Sequence, residues 1–182
     1  MKQSIRIIGG LYRGKKLPVP TIEGLRPTPD RVRETLFNWL MNDIRGARCL
    51  DAFAGSGALG FEAYSRNASK VVLIEYALDA YKNLQQVALS FNSPHLTVVN
   101  ADACDYLQKT TECFDIVFLD PPFAKGHLLQ CMDILADTNR LIKGGLLYIE
   151  APHEVDVDPS RWEQIKLKRA GLVIYGLYRK SA

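Results

Sequence analysis

The stretch Arg48–Asn67, RCLDAFAGSGALGFEAYSRN, decides the fold class of this 182-residue chain. Its first six residues have the apolar pattern of a buried strand, and the residues from Ser56 onward have the pattern of a helix. Gly55, Gly57 and Gly60 lie at the junction and satisfy the spacing G-x-G-x-x-G. Glycines at a strand-to-helix turn let a ligand approach the backbone closely, so this junction predicts a nucleotide-type binding loop.

The same alternation continues along most of the chain after this stretch. Further strands are predicted at 70–76, 95–100, 115–120 and 146–151, and further helices at 77–91, 102–109 and 127–141. Strands that alternate with helices predict an α/β fold with a mostly parallel sheet covered on both faces. Lys143–Gly145 is expected to turn the chain into the last parallel strand. Strands 162–170 and 172–180 leave no room for a helix between them, so they are expected to form a C-terminal antiparallel hairpin.

The N-terminal segment differs from the rest in pattern and in charge. Short apolar runs around Gly9, Gly10 and Gly14 predict a small β-hairpin arm within residues 1–26, and residues 27–182 are predicted to form the main part of one structural domain. Residues 1–48 carry ten Lys/Arg against four Asp/Glu, in a chain with a net charge of only +3. A basic arm favours a polyanion such as nucleic acid, although a solvated face explains the charge equally well. The candidate RNA contacts are Arg6, Arg13, Lys15, Lys16, Arg26 and Arg33.

A helix is predicted after the arm, within the sequence RPTPDRVRETLFNWLMND at 26–43. Apolar residues repeat at helical spacing from Val32 to Leu40. Thr28 is a suitable N-cap for this helix, and Pro29 suits its first position because its missing N–H costs nothing there.

Composition excludes several classes of protein. With 47% hydrophobic and 24% charged residues, the chain is expected to fold around a sizeable core. It contains no apolar run long enough for a membrane span and no apolar segment typical of a signal peptide. The four cysteines form no C-x-x-C pair and the three histidines have no ligand-like spacing. Reduced thiols, no bound metal and a cytoplasmic location are therefore expected.

The acids at the ends of the first three predicted parallel strands indicate which nucleotide binds. A dinucleotide would place a pyrophosphate at the helix that follows Asp51, and this carboxylate would repel it. S-adenosylmethionine carries a sulfonium and an ammonium group instead, and both favour a carboxylate. Glu75 ends the next strand, where a ribose diol would bind, and Asp102 could accept from an adenine amino group besides capping a helix. S-adenosylmethionine is the predicted cofactor, with contacts from Asp51, Phe53, Gly55, Gly57, Glu75, Asp102 and Ala103.

The stretch Val117–Phe123, VFLDPPF, combines an acid with two prolines and an aromatic residue. Prolines donate no backbone N–H, so the strand has to end here, with Asp120 beside the glycine loop. The Asp120 carboxylate and the Pro121 carbonyl can hold an exocyclic amine and stabilise the positive charge that develops as it is methylated. Phe123 offers a face on which a base can stack, and Pro122 is a further candidate contact with the substrate.

These motifs resemble those of amino-methyltransferases that act on nucleobases. The sequences RIIGGLYRGKKL at 6–17 and LRPTPDRVRETLFNWL at 25–40 narrow the resemblance to the RsmD-like family, which methylates the N2 amine of a guanine in bacterial 16S ribosomal RNA. The resemblance implies a Rossmann-like class I methyltransferase fold with seven strands, cofactor contacts from the glycine loop and Glu75, and Asp102 near the adenine. It also implies a target-base pocket at Asp120–Phe123 and, as partner, the assembled or assembling small ribosomal subunit. The protein is expected to act as a monomer.

Three other functions fit parts of the pattern. An adenine-N6 methyltransferase on DNA or RNA would use the same pocket, but such enzymes commonly carry a separate target-recognition domain. An NAD-dependent oxidoreductase is disfavoured by Asp51 and by the absence of a catalytic Tyr-Lys or His constellation. A non-catalytic RNA-binding assembly factor is disfavoured by the intact Asp120. Ala52 and Asn67 stand where similar sequences are expected to have Leu and Gly, away from the proposed chemistry.

Overall fold

Nine strands and five helices lie within residues 3–122 and 126–181, the part of the chain that the computed structural model describes. The strands are β1 Ser4–Arg6, β2 Lys16–Pro18, β3 Arg48–Asp51, β4 Lys70–Glu75, β5 Leu96–Asn100, β6 Phe114–Leu119, β7 Leu141–Ala151, β8 Trp162–Ala170 and β9 Val173–Lys180. The helices are α1 Asp30–Trp39, α2 Ala58–Ser65, α3 Leu78–Leu89, α4 Ala103–Lys109 and α5 His127–Asp137. None of these helices is long and apolar enough to span a membrane.

The seven-stranded, mostly parallel sheet predicted from the sequence is confirmed. Its strand order is β5-β4-β3-β6-β7-β9-β8, and β3 to β7 run parallel. Strand β9 pairs antiparallel with both β7 and β8, which gives the expected C-terminal hairpin. The order reverses between β3 and β6, where Leu50 pairs with Val117. Crevices for ligands form at such a reversal, beyond the carboxyl ends of the strands.

Alternate residues of the central strands face two separate hydrophobic cores. On β4, Val71 and Leu73 face the core that is shared with α1, α2 and α3, whereas Val72 and Ile74 face the core shared with α4 and α5. All four side chains are completely buried. Helices therefore cover both faces of the sheet, which explains why its strands are continuous apolar runs rather than alternating ones.

The predicted N-terminal hairpin is present as a two-stranded sheet of β1 and β2. Ile7 and Leu17 are buried in the core that α1 and α2 share, so the hairpin packs against the main sheet structure. The division of the chain at residue 26 stays a prediction.

Three local predictions differ from the structure. Helix α1 begins at Asp30 with Pro29 as its N-cap residue, and no side chain caps it, so Thr28 does not have the predicted capping role. The predicted turn at Lys143–Gly145 lies inside the long strand β7, where the pairing with β6 shifts in register. Helix α5 ends at Asp137, earlier than expected, because the chain becomes extended at Thr138.

Candidate active site

The glycine loop between β3 and α2 has a backbone that only glycine adopts without strain. Gly55 and Gly57 have positive φ angles of 54° and 81°, and Gly57 is the N-cap residue of α2. A Cβ at Gly57 would lie 2.3 Å from the Phe61 ring. A Cβ at Gly60 would lie 2.7 Å from a Leu73 methyl carbon, so α2 can approach β4 closely only with glycine there. The loop has the tight turn and close helix packing expected of a nucleotide cradle.

Asp51 is buried at the end of β3, directly below this loop. One of its carboxylate oxygens accepts the Gly60 N–H at 2.9 Å, which fixes the first turn of α2 against the strand. Burial raises the pKa of Asp51 from 3.8 to about 7, and the charges of Glu75 and Glu150 add to the effect. A cation above the loop would favour the ionised carboxylate, whereas a pyrophosphate would be repelled. The acidic surroundings therefore fit the cationic S-adenosylmethionine better than a dinucleotide.

Glu75, at the end of β4, connects the glycine loop to the neighbouring strand. Its two carboxylate oxygens accept the N–H groups of Gly55 and Ala77, each at 2.8 Å. A carboxylate has about four acceptor positions, so Glu75 retains capacity for a ribose hydroxyl. These bonds place the loop and the carboxylate side by side, which is the arrangement that ribose binding at this strand end requires.

The remaining predicted cofactor residues surround the same edge of the sheet. Asp102 accepts the Asp105 N–H at 3.1 Å and caps α4, as predicted, and Ala103 is buried in the first turn of that helix. Phe53 follows β3, and its ring stacks on His127 with the ring centres 6.0 Å apart. This stack links the segment after β3 to the start of α5.

Asp120 lies immediately after β6, beside the strand that carries Asp51, and it belongs to a cluster of hydrogen-bonded polar groups. The Thr28 hydroxyl lies 3.4 Å from Oδ2 of Asp120 and 3.1 Å from Oε1 of Glu150. The Tyr148 hydroxyl donates to the same Oε1 at 2.8 Å. Residues from three separate parts of the chain thus converge on one pair of carboxyl groups.

The two carboxyl groups of this cluster strongly affect each other's protonation. Burial, followed by the charges of Glu150 and Asp51, raises the pKa of Asp120 well above its ordinary value. Burial also raises the pKa of Glu150, but the hydrogen bonds from Tyr148, Thr28 and Asp120 oppose the rise. Two neighbouring buried carboxyl groups cannot both ionise easily, so the pair retains a proton to a higher pH than a single carboxyl group would.

A small cavity of about 80 Å³ lies next to Glu150. Pro121, Pro122 and Glu150 line it, together with the start of α5. Pro121 is buried and Pro122 is exposed, so the two prolines form the inner wall and the rim of the cavity. Phe123, the predicted stacking platform, lies outside the described residues.

The predicted RNA-contacting residues of the arm are found mainly on the surface. Arg6, Arg13, Lys16 and Arg26 are exposed. Lys15 is half-buried, because its ammonium group lies 4.9 Å from the centre of the Phe91 ring. Four of the six candidate side chains are therefore exposed and accessible to a polyanion.

Arg33 is a correction to this prediction, because its side chain is completely buried. The guanidinium donates to the carbonyl oxygen of Arg6 at 3.0 Å and to Glu62 at 3.5 Å, and it also pairs with Asp30. It follows Val32 on the inner side of α1, where the helix meets the hairpin and α2. A count of basic residues along the chain cannot separate such an internal ion pair from a surface charge.

Thr28, Tyr148 and Glu150 were not among the predicted site residues. A signal for two of them exists in the sequence: in LLYIEA, a fully buried strand, Tyr148 and Glu150 are two residues apart and so point to the same face. A buried acid in such a strand requires hydrogen-bond donors. Thr28 carries no comparable signal, because it precedes a helix, where threonine is ordinary.

Comparison with known proteins agrees with this geometry. The family model described as conserved hypothetical protein 95 matches residues 5–179. Two relatives called ribosomal RNA small subunit methyltransferase D are each 46% identical, and the alignments span 98% of this chain. The Haemophilus influenzae protein is covered to 95% of its length and the Escherichia coli K12 protein to 91%.

A solved structure, that of the Escherichia coli protein yhhF, superposes with a TM-score of 0.91 and 46% identity over 99% of both chains. The superposition confirms the Rossmann-like class I methyltransferase fold expected from the sequence. With nearly the whole sequence matched by the family model and by these relatives, the chain belongs to the RsmD-like family.

Proposed function

We propose that the protein transfers a methyl group from S-adenosylmethionine to the exocyclic N2 amine of a guanine in 16S ribosomal RNA. The observation that carries this proposal is the parallel pairing of β3 with β6, which brings the glycine loop and Asp120 to the same end of the sheet. The relatives named ribosomal RNA small subunit methyltransferase D support the RNA substrate. The choice of guanine N2 rests on the resemblance of the sequence motifs.

The chain's own residues account for cofactor binding by shape and charge. The glycine loop supplies the close approach, Asp51 the negative charge, and Glu75 and Asp102 the hydrogen-bond acceptors at the rim of the crevice. When bound, S-adenosylmethionine supplies a methyl group on a positively charged sulfur. The protein contributes orientation and electrostatics, as is usual where a cofactor carries the reactive group.

Asp120 and Pro121 act on the target amine. An exocyclic amine is a poor nucleophile because its lone pair is delocalised into the ring of the base. Oxygen acceptors on its N–H groups hold it in line with the methyl group and stabilise the charge that develops on the nitrogen. The Pro121 carbonyl is preorganised by the rigid Pro-Pro backbone. Phe123 is proposed to stack on the base and Pro122 to contact it.

The partner in this proposal is the small ribosomal subunit, either assembled or assembling, and the protein acts on it as a monomer in the cytoplasm. The exposed arginines and lysine of the arm would contact RNA phosphates, a sequence-independent interaction that positions the enzyme.

The decisive experiment measures transfer of tritiated methyl groups to small subunits that lack this modification, followed by nuclease digestion and mass spectrometry of the nucleosides. We expect N2-methylguanosine. N6-methyladenosine would contradict the proposed base and favour the adenine methyltransferase, and no transfer at all would favour a non-catalytic assembly factor.

The variant Asp120→Ala is expected to abolish transfer while calorimetry still detects binding of S-adenosylmethionine, because the glycine loop remains intact. Retained turnover would contradict the role of Asp120.

A further inference from the structure

Glu150 is a buried acid that the proposed function does not use. Only 6% of its surface is exposed, and it lies near the carboxyl end of β7 in an otherwise apolar run. An ionised carboxylate at such a place is costly unless donors surround it. Here the Tyr148 and Thr28 hydroxyls approach one of its oxygens, and the same Thr28 hydroxyl lies 3.4 Å from a carboxyl oxygen of Asp120. These hydrogen-bond donors indicate that Glu150 is held as an ionised carboxylate.

The distribution of donors indicates where the shared proton lies. Tyr148 at 2.8 Å and Thr28 at 3.1 Å both lie close to Glu150, whereas Thr28 is 3.4 Å from Asp120. Because more donors lie close to Glu150, this arrangement favours the negative charge on Glu150 and the shared proton on Asp120. Burial and, after it, the charge of Glu150 raise the pKa of Asp120 in the same sense. Asp120 can still accept a hydrogen bond through its carbonyl oxygen.

We propose that Glu150 is a positioning residue and proton partner for Asp120, and that the Thr28 hydroxyl fixes the position of the two carboxyl groups relative to each other. This inference rests on the proposed function, because it assigns Asp120 to the target amine. Glu150 orients the Asp120 carboxyl group so that its unprotonated oxygen faces the incoming base. Thr28 comes from the segment that joins the basic arm to α1, and so it contributes to the site from outside the sheet.

The proton balance of the reaction gives the pair a second task. As the N–C bond forms and the C–S bond breaks, the electron pair of that bond goes to sulfur and the amine nitrogen becomes positive. The nitrogen then loses one proton to the free oxygen of Asp120, while the proton already on Asp120 moves to Glu150. The pair changes from one proton to two, and the methylated amine leaves neutral.

The groups around the pair favour this direction of transfer. Asp51 on β3 faces it with a further carboxyl group, and Tyr148 on β7 is hydrogen-bonded to Glu150. The charges that act most strongly on Asp120 are those of Glu150 and Asp51, and both are negative. Negative surroundings raise the proton affinity of the pair and suit it to accept a proton from a positive nitrogen.

The test is the pH profile of the Glu150→Gln variant, measured as kcat and KM for small subunits. The variant retains the shape of the side chain but cannot be ionised. We expect kcat to fall on the order of ten- to a hundredfold with little change in KM. We also expect the acid limb of the kcat profile to move to higher pH, because in the variant Asp120 itself must be ionised to accept the proton, whereas in the wild type this limb reflects proton uptake by the better-stabilised Glu150. The matched control is Glu154→Gln, an exposed acid of the following segment, which should change neither.

A second pair of variants tests the bridging hydroxyl. Thr28→Ser retains the hydroxyl and should keep kcat within about twofold, whereas Thr28→Val removes it and should lower kcat about tenfold. A purely structural role for Glu150 would lower kcat without moving the acid limb, and that result would overturn the inference, as would a Glu150→Gln variant with unchanged kcat and pH profile.

A measurement independent of turnover separates this inference from the proposed function. Carboxyl ¹³C NMR of the free protein should show Asp120 titrating at lower pH in Glu150→Gln than in the wild type. This shift can occur even if the wild type transfers no methyl group to ribosomal RNA, in which case the proposed function fails and the proton-sharing pair stands. An Asp120 titration that does not change would overturn the pair itself.

Discussion

Arg33 and Glu62 form an ion pair at 3.5 Å in which both side chains are completely buried. The Glu62 carboxylate also accepts the N–H groups of Ile8 and Gly9 at 2.9 Å each, and Nε of Arg66 donates to it at 2.8 Å. One carboxylate therefore joins α1 and the N-terminal hairpin to α2.

Replacing Glu62 with Ala should destabilise the protein by about 3–5 kcal/mol, because the buried Arg33 would lose one of its two carboxylate partners and the N–H groups of Ile8 and Gly9 would lose their acceptor. Urea denaturation followed by circular dichroism measures this loss. The control Glu34→Ala, at an exposed position of α1, should change the unfolding free energy by less than about 0.5 kcal/mol. A loss below about 1 kcal/mol for Glu62→Ala would show that the hairpin does not depend on this carboxylate.

Gly57→Ala should be more destabilising than Gly46→Ala, although the two glycines have nearly the same φ, 81° and 77°. An added Cβ meets nothing within 4 Å at Gly46, so only the left-handed backbone costs energy there, about 1–2 kcal/mol. At Gly57 the contact with Phe61 adds an overpacking cost of about 1–3 kcal/mol. Denaturation midpoints compare the two variants directly, and equal losses would mean that the loop can move away from α2.

Asp51 predicts a specific dependence of stability on pH. Its pKa is raised from 3.8 in a free side chain to about 7 by burial, so between these values the unfolded chain releases a proton that the native protein keeps. The free energy of unfolding should therefore fall as pH rises from about 4 to 7, by about 4 kcal/mol from this group.

In Asp51→Asn the amide oxygen can still accept the Gly60 N–H, and the pH slope should be reduced. It does not vanish, because Asp120 and Glu150 also have raised pKa values. Urea unfolding at pH 4.5, 6 and 8 tests this, with the exposed Asp43→Asn as control. A slope identical to that of the wild type would contradict the raised pKa.

Lys16→Glu should stabilise the fold and weaken RNA binding at the same time. Arg6 and Lys16 are directly opposite each other on β1 and β2, and like charges in this arrangement are unfavourable. In the variant an opposite-charge pair replaces them, which stabilises the hairpin by about 0.2–1 kcal/mol.

Binding of the Lys16→Glu variant to a 16S ribosomal RNA transcript is measured by filter retention over a range of salt concentrations. The affinity should fall, and the slope of log affinity against log salt should decrease by about one unit. Lys109→Glu on α4, with the same change in charge, is the control, and equal effects of the two variants would rule out a specific role for the arm.

Most of the fold could be predicted because it depends on local patterns. Apolar runs bounded by glycine, such as those before and after the Gly55 loop, indicate strands and helices without knowledge of distant contacts. The candidate site was predicted where a strand end carries an unusual residue, as at Asp51 and Asp120. Thr28 and Arg33 were misjudged, because their roles depend on partners far away in the chain: Thr28 lies 122 positions from Glu150. Sequence spacing contains no information on such pairings.

The attachment of the N-terminal hairpin has a consequence for how a substrate would be selected. Because Ile7 and Leu17 share the core of the sheet and Glu62 holds the Gly9 backbone, the hairpin cannot swing independently of the crevice. Under the proposed function, a phosphate bound at Arg6 and a base bound at Asp120 are separated by a constant distance. The enzyme would then act as a molecular ruler, which selects the nucleotide that a folded RNA presents at the matching spacing rather than a particular neighbouring sequence.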